Sequence, residues 1–132
     1  MSFGGSVAAQ PAAKPQAAAT ATAAQEFYFN YRLALNKATS MEDLKPWMAQ
    51  KGYQSATSTT KESQAMLFKA MKVINTAIGN VAVTDRVAAA DTVVLRLRGV
   101  DARDQQSMLG AAIIVREVGG WRLGREDWRS AR

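Results

Sequence analysis

The chain has 132 residues, 17 Lys+Arg against 11 Asp+Glu, a formal net charge of +6 and a hydrophobic fraction of 48%. This length suits one domain with its own core. The sequence contains no Cys and no His, which excludes disulfides, zinc fingers, cysteine nucleophiles and every site that depends on imidazole. We therefore predict no metal and no cofactor, and any catalysis would depend on carboxylates, tyrosines, lysines or arginines.

The first 24 residues differ in composition from the rest. Residues 1–24 are rich in Ala, Pro and Gln, and Lys14 is their only charged residue. Pro11 and Pro15 are expected to interrupt any long helix. The composition predicts a disordered tail or linker before a single domain over residues 25–132. The tail could be an inert terminus, a spacer or a partner-binding arm, and "AAATATAAQ" could extend the next helix.

No stretch approaches the ~20 apolar residues that a membrane span needs, and the start lacks the basic and apolar regions of a signal peptide. The chain as written is therefore predicted to be cytoplasmic. A periplasmic or envelope-tethered protein is the alternative if a signal or an anchor has been removed.

Three helices are predicted next. Apolar residues recur at helical spacing from Ala24 to Ala38. Ser40 and Asp43 form a capping-box pattern that opens a second helix, which Pro46 should kink and Gly52 should end. A third helix is predicted over residues 61–75, after a second capping box at residues 59–62.

The period then changes to two, which indicates strands at "NVAVTDRV", "VVLRLRGV", "MLGAAIIVREV" and "WRL". Gly119 and Gly120 are expected to form the last hairpin loop. We predict an α+β fold in which three helices pack on an antiparallel sheet of about four strands. The predicted inward positions are Val93, Leu95, Leu97, Ala111, Ile113 and Val115.

The strands "AADTVVLRLRG" and "GAAIIVREV", the close "GGWRLGREDW" and the helical first half resemble the nuclear-transport-factor-2-like, or cystatin-like, superfamily. Its bacterial members often end on a Gly-Gly-Trp-[Arg/Lys]-[Leu/Ile] hairpin. The resemblance covers roughly residues 24–130 and implies a cone in which a curved sheet and helices enclose an apolar cavity. Members include steroid isomerases, polyketide cyclases, dehydratases and domains that only bind ligands or partners.

We predict a non-enzymatic binding or interaction domain whose cavity accepts a small apolar ligand. Trp121 should point toward the helices, where it either closes one end of the cavity or simply fills the core. The candidate lining residues are Phe27, Tyr31, Leu35, Trp47, Phe68, Met71, Ile113 and Trp121.

The alternative is a small cavity enzyme of the isomerase, cyclase or dehydratase type. Steroid isomerases of the superfamily use a tyrosine on the first helix and two acids in the pocket. Tyr28, Tyr31 and Asp43 are the candidates here, although helix capping also explains Asp43 and no second acid falls on a predicted inward position. An Asp43 or Asp127 side chain buried beside either tyrosine would favour this alternative.

Eight of the ten arginines lie after residue 90. By strand alternation Arg96, Arg98, Arg116 and Arg122 should share the outer face of the sheet. Dimerisation across the sheet is common among proteins of the resembled superfamily, so we predict a homodimer. This face could also bind an acidic protein partner, and an ordinary solvated surface is the alternative. Nucleic-acid binding is not favoured, because no aromatic residues alternate with the arginines and no known nucleic-acid motif is present.

Overall fold

The computed structural model describes the backbone of residues 4–132 and the side chains of residues 16–132. Its elements are α1 (Gly4–Lys37), a 3₁₀ turn (Met41–Leu44), α2 (Gln50–Thr57), α3 (Lys61–Ala77), β1 (Ile78–Ala88), β2 (Thr92–Asp101), β3 (Gln106–Glu117) and β4 (Gly120–Ser130). The strands form one antiparallel sheet in the order β1-β2-β3-β4. The helices of the described residues all precede the strands, so the predicted α+β class with three helices and four strands is confirmed.

Helix α1 differs from the predicted tail. It is 34 residues long and begins at Gly4, so it includes most of the segment that composition assigns to a disordered tail. The side chains of Ala21 and Ala24 are already buried in the core. The high helix propensity of alanine explains why the helix extends toward the N-terminus. Packing of α1 on the rest of the chain therefore starts before the predicted boundary at residue 24.

The segment between α1 and α3 also differs from its prediction. The 3₁₀ turn and α2 are separate, and Gly52 lies inside α2 instead of ending a helix. Ser40 makes no side-chain cap bond. Instead, the Asp43 carboxylate accepts hydrogen bonds from the Thr39 N–H at 2.9 Å and from its hydroxyl at 3.0 Å. The cap of α3 is Thr60, whose hydroxyl oxygen accepts from the N–H of Ser63 at 3.1 Å.

The main core lies between α1 and the two middle strands. Val93, Leu95 and Leu97 of β2 point inward, as predicted. On β3 the prediction is wrong, because Ala112 and Ile114 are the buried residues. The positions predicted to point inward are Ala111, Ile113 and Val115, which are half-buried on the opposite face. Burying a side chain the size of Leu95 stabilises the fold by about 2 kcal/mol.

The last hairpin turns one residue earlier than predicted. Glu117 pairs with Gly120, so the two loop residues are Val118 and Gly119. Gly120 adopts a φ of 121°, a backbone conformation that is favourable only for glycine. Along the outer edge of β4, the N–H of Leu123 donates to the carbonyl of Trp47, and the N–H of Ala49 donates to the carbonyl of Leu123, both at 2.8 Å.

None of the helices in the described part of the chain is both long enough and apolar enough to cross a membrane.

Candidate functional site

A β-bulge in β4 decides which side chains face the helices. Ile114 of β3 pairs with Leu123, and the preceding residue Ile113 pairs with Arg125, so Gly124 is an extra residue in β4. One extra residue shifts the alternation of a strand by one position. Beyond Gly124 the register pairs Glu126 with the buried Ala112. Glu126 therefore lies on the face of the sheet that packs against the helices.

The Glu126 carboxylate is held by two donors. The hydroxyl of Tyr28, on α1, donates to Glu126 Oε2 at 2.6 Å, and the indole Nε1–H of Trp128 donates to the same oxygen at 3.0 Å. The Tyr28 side chain is fully buried and Glu126 is half-buried. The second oxygen, Oε1, has no hydrogen-bond donor among the described residues. Glu126 thus presents a fixed carboxylate with one oxygen still free to accept.

The environment keeps both tyrosines of α1 neutral. Burial raises the pKa of Tyr28 well above its usual range, and the negative charge of Glu126 raises it further. Burial and the same carboxylate also raise the pKa of Tyr31. Tyr28 therefore remains a hydrogen-bond donor at any pH at which the protein is folded.

Next to Glu126 lies a cavity of about 750 Å³, open at one side, between α2, α3 and β4. Such a volume is within the range of small-molecule sites. Its apolar wall comes from the helices, from Met48 and from Leu123. Its charged groups come from the second half of β4, and its neutral polar groups come mainly from α2, α3 and the loop between them. It is lined by Tyr31, Leu35, Met48, Gly52, Ser55, Ala56, Thr59, Ser63, Leu67, Met71, Ile74, Asn75, Leu123, Gly124, Arg125, Glu126, Asp127 and Trp128.

Asn75, in the last turn of α3, is a buried residue of the cavity wall, with 6% of its surface exposed. Its amide nitrogen donates to the Arg32 carbonyl at 3.0 Å and to Asn36 Oδ1 at 2.7 Å. The backbone acceptor fixes the orientation of the amide. Asn75 Oδ1 has no partner among the described residues. An unpaired buried acceptor costs free energy, so this atom needs an explanation.

Of the eight predicted lining residues, the structure places Tyr31, Leu35 and Met71 in the cavity wall. The other five lie elsewhere. Phe27 and Trp47 pack against each other with ring centroids 5.5 Å apart, and Phe68 lies beside Lys72 on another side of α3.

Ile113 and Trp121 complete the five. Ile113 is on the outer face of the sheet, where the register places it beside Arg125. Trp121 packs on the edge of the core, under the guanidinium of Arg116 at 4.3 Å. Its position therefore fits the interpretation as a core tryptophan that the sequence left open.

Asp43, the candidate catalytic acid that the resemblance to steroid isomerases suggested, does not line the cavity. Asp43 is exposed, and the hydrogen bonds from Thr39 lower the pKa of its carboxyl. Asp127 is exposed at the cavity rim and accepts from Arg125 Nε at 2.7 Å. The carboxylate that does contact a tyrosine of α1 is Glu126, which the sequence interpretation missed. Gly124, a glycine inside a strand pattern, was the signal that could have located it.

Three of the four predicted arginines share the outer face of the sheet. Arg96 pairs with Ala111, Arg98 with Leu109 and Arg122 with Val115. The fourth assignment is wrong, because Arg116 pairs with Trp121 and stacks on its indole, on the face toward the helices. The error has the same cause as the inverted assignment of β3.

Among the described residues no group of three or more acidic side chains is arranged to hold a metal ion. Comparison of the chain with protein-family models, with curated proteins and with solved structures gives no match.

Proposed function

We propose that this chain is a small-molecule-binding domain whose site is the cavity between α2, α3 and β4. The observation that carries the proposal is the placement of Glu126. Its carboxylate, fixed by Tyr28 and Trp128, lies in the wall of a cavity of about 750 Å³ that is otherwise mostly apolar. Ligand sites combine these features, an apolar surface for affinity and a few fixed polar groups for orientation.

The hydrogen bonds favour binding over catalysis. A general base must reach the proton that it abstracts, but Oε2 of Glu126 is already occupied by two hydrogen-bond donors. The Tyr28 hydroxyl already donates to Glu126 at 2.6 Å, so it cannot also polarise a substrate carbonyl. The pair of Tyr28 and Glu126 is nevertheless the feature on which the alternative, a small cavity enzyme, would depend.

The resemblance to the nuclear-transport-factor-2-like superfamily supports the same proposal. A cavity between helices and one face of an antiparallel sheet is what that cone-shaped architecture implies. Its binding members need no catalytic constellation, and this chain has no histidine for the base-and-polariser pairs of the dehydratase and cyclase members.

Nuclear magnetic resonance tests the proposal directly, because the chain is 14.3 kDa. Titration with the neutral compound 2-phenylethanol should shift the amide signals of Gly52, Ser55 and Gly124 and the indole N–H of Trp128. Ser55→Trp, which fills the mouth of the cavity, should abolish these shifts. Ser58→Trp is the matched control, since Ser58 is exposed and does not line the cavity. Shifts confined to the outer sheet face, or no shifts at all, would show the proposal to be wrong.

The outer face of the sheet supports a second part of the proposal, association with another copy of the chain. Half-buried apolar residues, including Leu109, Ile113 and Val115, form a stripe that no described element covers. The stripe has Arg96 on one side, and Asp127 lies on the same face. A face with both charge signs around an apolar stripe can be complementary to itself about a two-fold axis.

Sedimentation velocity tests this association. The wild type should sediment at twice the chain mass of 14.3 kDa, and Ile113→Asp should return it to one chain. Val118→Asp, at the fully exposed hairpin tip, is the control that should leave the mass unchanged. A wild type that remains a single chain at high concentration would contradict the association and leave the cavity proposal intact.

A further inference from the structure

We infer that the ligand of the cavity is an amine with an apolar body, whose protonated nitrogen binds Glu126. This inference rests on the proposed function, because it names the chemical class that the same cavity would accept. It is carried by the charge balance of the cavity, by a carboxylate oxygen that has no donor among the described residues, and by the aromatic residues of the same wall.

The charge of the cavity differs in sign from the charge of the chain. The chain carries +6, whereas the charged residues of the cavity wall are Arg125, Glu126 and Asp127. Arg125 and Asp127 bind each other at 2.7 Å and are both exposed. No lysine or arginine of the described part forms an ion pair with Glu126. The cavity therefore contains one carboxylate that a ligand cation can pair with.

The guanidinium of Arg32, which reaches the Tyr28 hydroxyl, does not form an ion pair with Glu126. Arg32 Nη2 donates to the carbonyls of Asn75 at 3.1 Å and Ile78 at 2.8 Å. Its other nitrogen, Nη1, reaches the Tyr28 hydroxyl at 3.5 Å, so Tyr28 lies between this guanidinium and Glu126. Arg32 thus ties α1 to the end of α3 and leaves the cavity side of the carboxylate open.

Glu126 Oε1 is an acceptor of the wall that has no donor among the described residues. The Tyr31 hydroxyl, which also makes no hydrogen bond to those residues, can accept or donate, whereas Asn75 Oδ1 is buried too deeply to meet a ligand directly. An ammonium group brings three donors and no acceptor, whereas a hydroxyl brings one donor and a carboxylate brings none. An amine therefore matches this wall best, and an anion would meet the negative charge of Glu126.

The remaining wall suits the rest of such a ligand. Tyr31 and Trp128 are aromatic residues of the wall, and aromatic rings attract cations. Leu35, Met71 and Ile74 supply apolar surface for a hydrocarbon or aromatic body. Because methionine is flexible, this surface can adapt to bodies of different shape.

Isothermal titration calorimetry with three compounds that share a phenylethyl body tests the inference on the intact protein. They are phenethylamine, which is a cation at neutral pH, the neutral 2-phenylethanol, and the anion 3-phenylpropionate. Phenethylamine should bind at least about tenfold more tightly than 2-phenylethanol. The anion should bind most weakly of the three.

Two variants assign this preference to one carboxylate. Glu126→Gln should bring phenethylamine to the affinity of 2-phenylethanol and leave the alcohol unchanged. Glu26→Gln is the control, because it makes the same change at an exposed carboxylate of α1 that does not line the cavity, and it should keep the preference. Circular dichroism checks that both variants are folded, and the ranking of the three compounds on the wild type needs no variant.

The outcomes separate the two proposals. Equal binding of the amine and the alcohol, or tighter binding of 3-phenylpropionate, would overturn the amine inference while cavity binding stands. Binding of none of the three compounds would overturn the proposed function and the inference with it. A preference for the amine that survives Glu126→Gln would overturn the role of Glu126.

Discussion

Replacement of Tyr28 by phenylalanine tests the hydrogen bond that fixes the candidate site. The Tyr28 side chain is 0% exposed, and its hydroxyl donates to Glu126 Oε2 at 2.6 Å. The change removes one oxygen and leaves the ring in place, so no large cavity forms. A hydrogen bond to a charged group contributes about 1.5–3 kcal/mol. We expect the free energy of unfolding to fall by that amount, which lowers Tm by about 6–12 °C in a chain of this length.

Tyr31→Phe is the matched control for this prediction. Tyr31 is also on α1 and is only 1% exposed, but its hydroxyl makes no hydrogen bond to the described residues. Its removal should cost less than about 1 kcal/mol. Urea unfolding, followed by circular dichroism, measures both values. Equal losses for the two variants would refute the argument that the bond to Glu126 contributes more than burial of the hydroxyl.

A double-mutant cycle isolates the bond itself. In a Glu126→Gln background the acceptor is no longer charged, so Tyr28→Phe should cost about as little as Tyr31→Phe does in the wild type. The coupling free energy between Tyr28 and Glu126 should then be about 1 kcal/mol or more. Strictly additive losses would mean that the two side chains do not interact in solution.

Three further predictions concern the buried tyrosines of α1, Asp101 and the bulge residue Gly124. Burial raises the folded-state pKa of Tyr28 and Tyr31, so their stabilising contribution is complete below the unfolded value of 10.0 and is lost as pH rises above it. The free energy of unfolding, measured by urea titration, should therefore fall in alkali by about 1.4 kcal/mol per pH unit for each tyrosine, and Tyr28→Phe should halve this slope. Hydrogen bonds from Arg103 lower the pKa of Asp101 to about 2, so this contribution is present above the unfolded value of 3.8 and disappears as pH falls toward about 2. Asp101→Asn should therefore melt below the wild type near neutral pH, with a gap that closes in acid. Deletion of Gly124 should remove cooperative melting or, if the chain still folds, binding of 2-phenylethanol, and a deletion variant that melts and binds like the wild type would contradict the role given to the bulge.

The order of elements could be predicted because the hydrophobic period changes from helical to two along the chain. The middle segment could not be predicted as well. Ser40 and Asp43 match a capping box, but the Asp43 carboxylate accepts its hydrogen bonds from Thr39. Only a short 3₁₀ turn, and no α-helix, directly follows Ser40. Local patterns propose several hydrogen-bond partners for such side chains, and tertiary packing selects one of them.

The two middle strands, β2 and β3, show when the alternation of side chains predicts which face of a strand is buried. In β2 the charged Arg96 and Arg98 mark the outer face, so the inward residues follow at once. In β3 almost every residue is apolar, and either face could have been buried on pattern alone. The register resolves this ambiguity, since Ile114 pairs with the buried Leu123.

The candidate site itself depends on a single backbone irregularity. Strict alternation from Leu123 would turn Arg125 and Asp127 toward the helices and Glu126 toward the outer face, so the pattern gave no reason to select Glu126. The extra residue, Gly124, reverses this, because it lies between the pairs Ile114–Leu123 and Ile113–Arg125. The bulge lies directly after the residue of β4 that hydrogen-bonds to the segment before α2. Hence the N–H and the carbonyl of Leu123, which bond to Trp47 and Ala49, hold the start of β4 in register, and the bulge reverses the face on which the later side chains lie. A strand whose first half is apolar toward the helices thereby supplies, in its second half, an acid that hydrogen-bonds to a buried tyrosine.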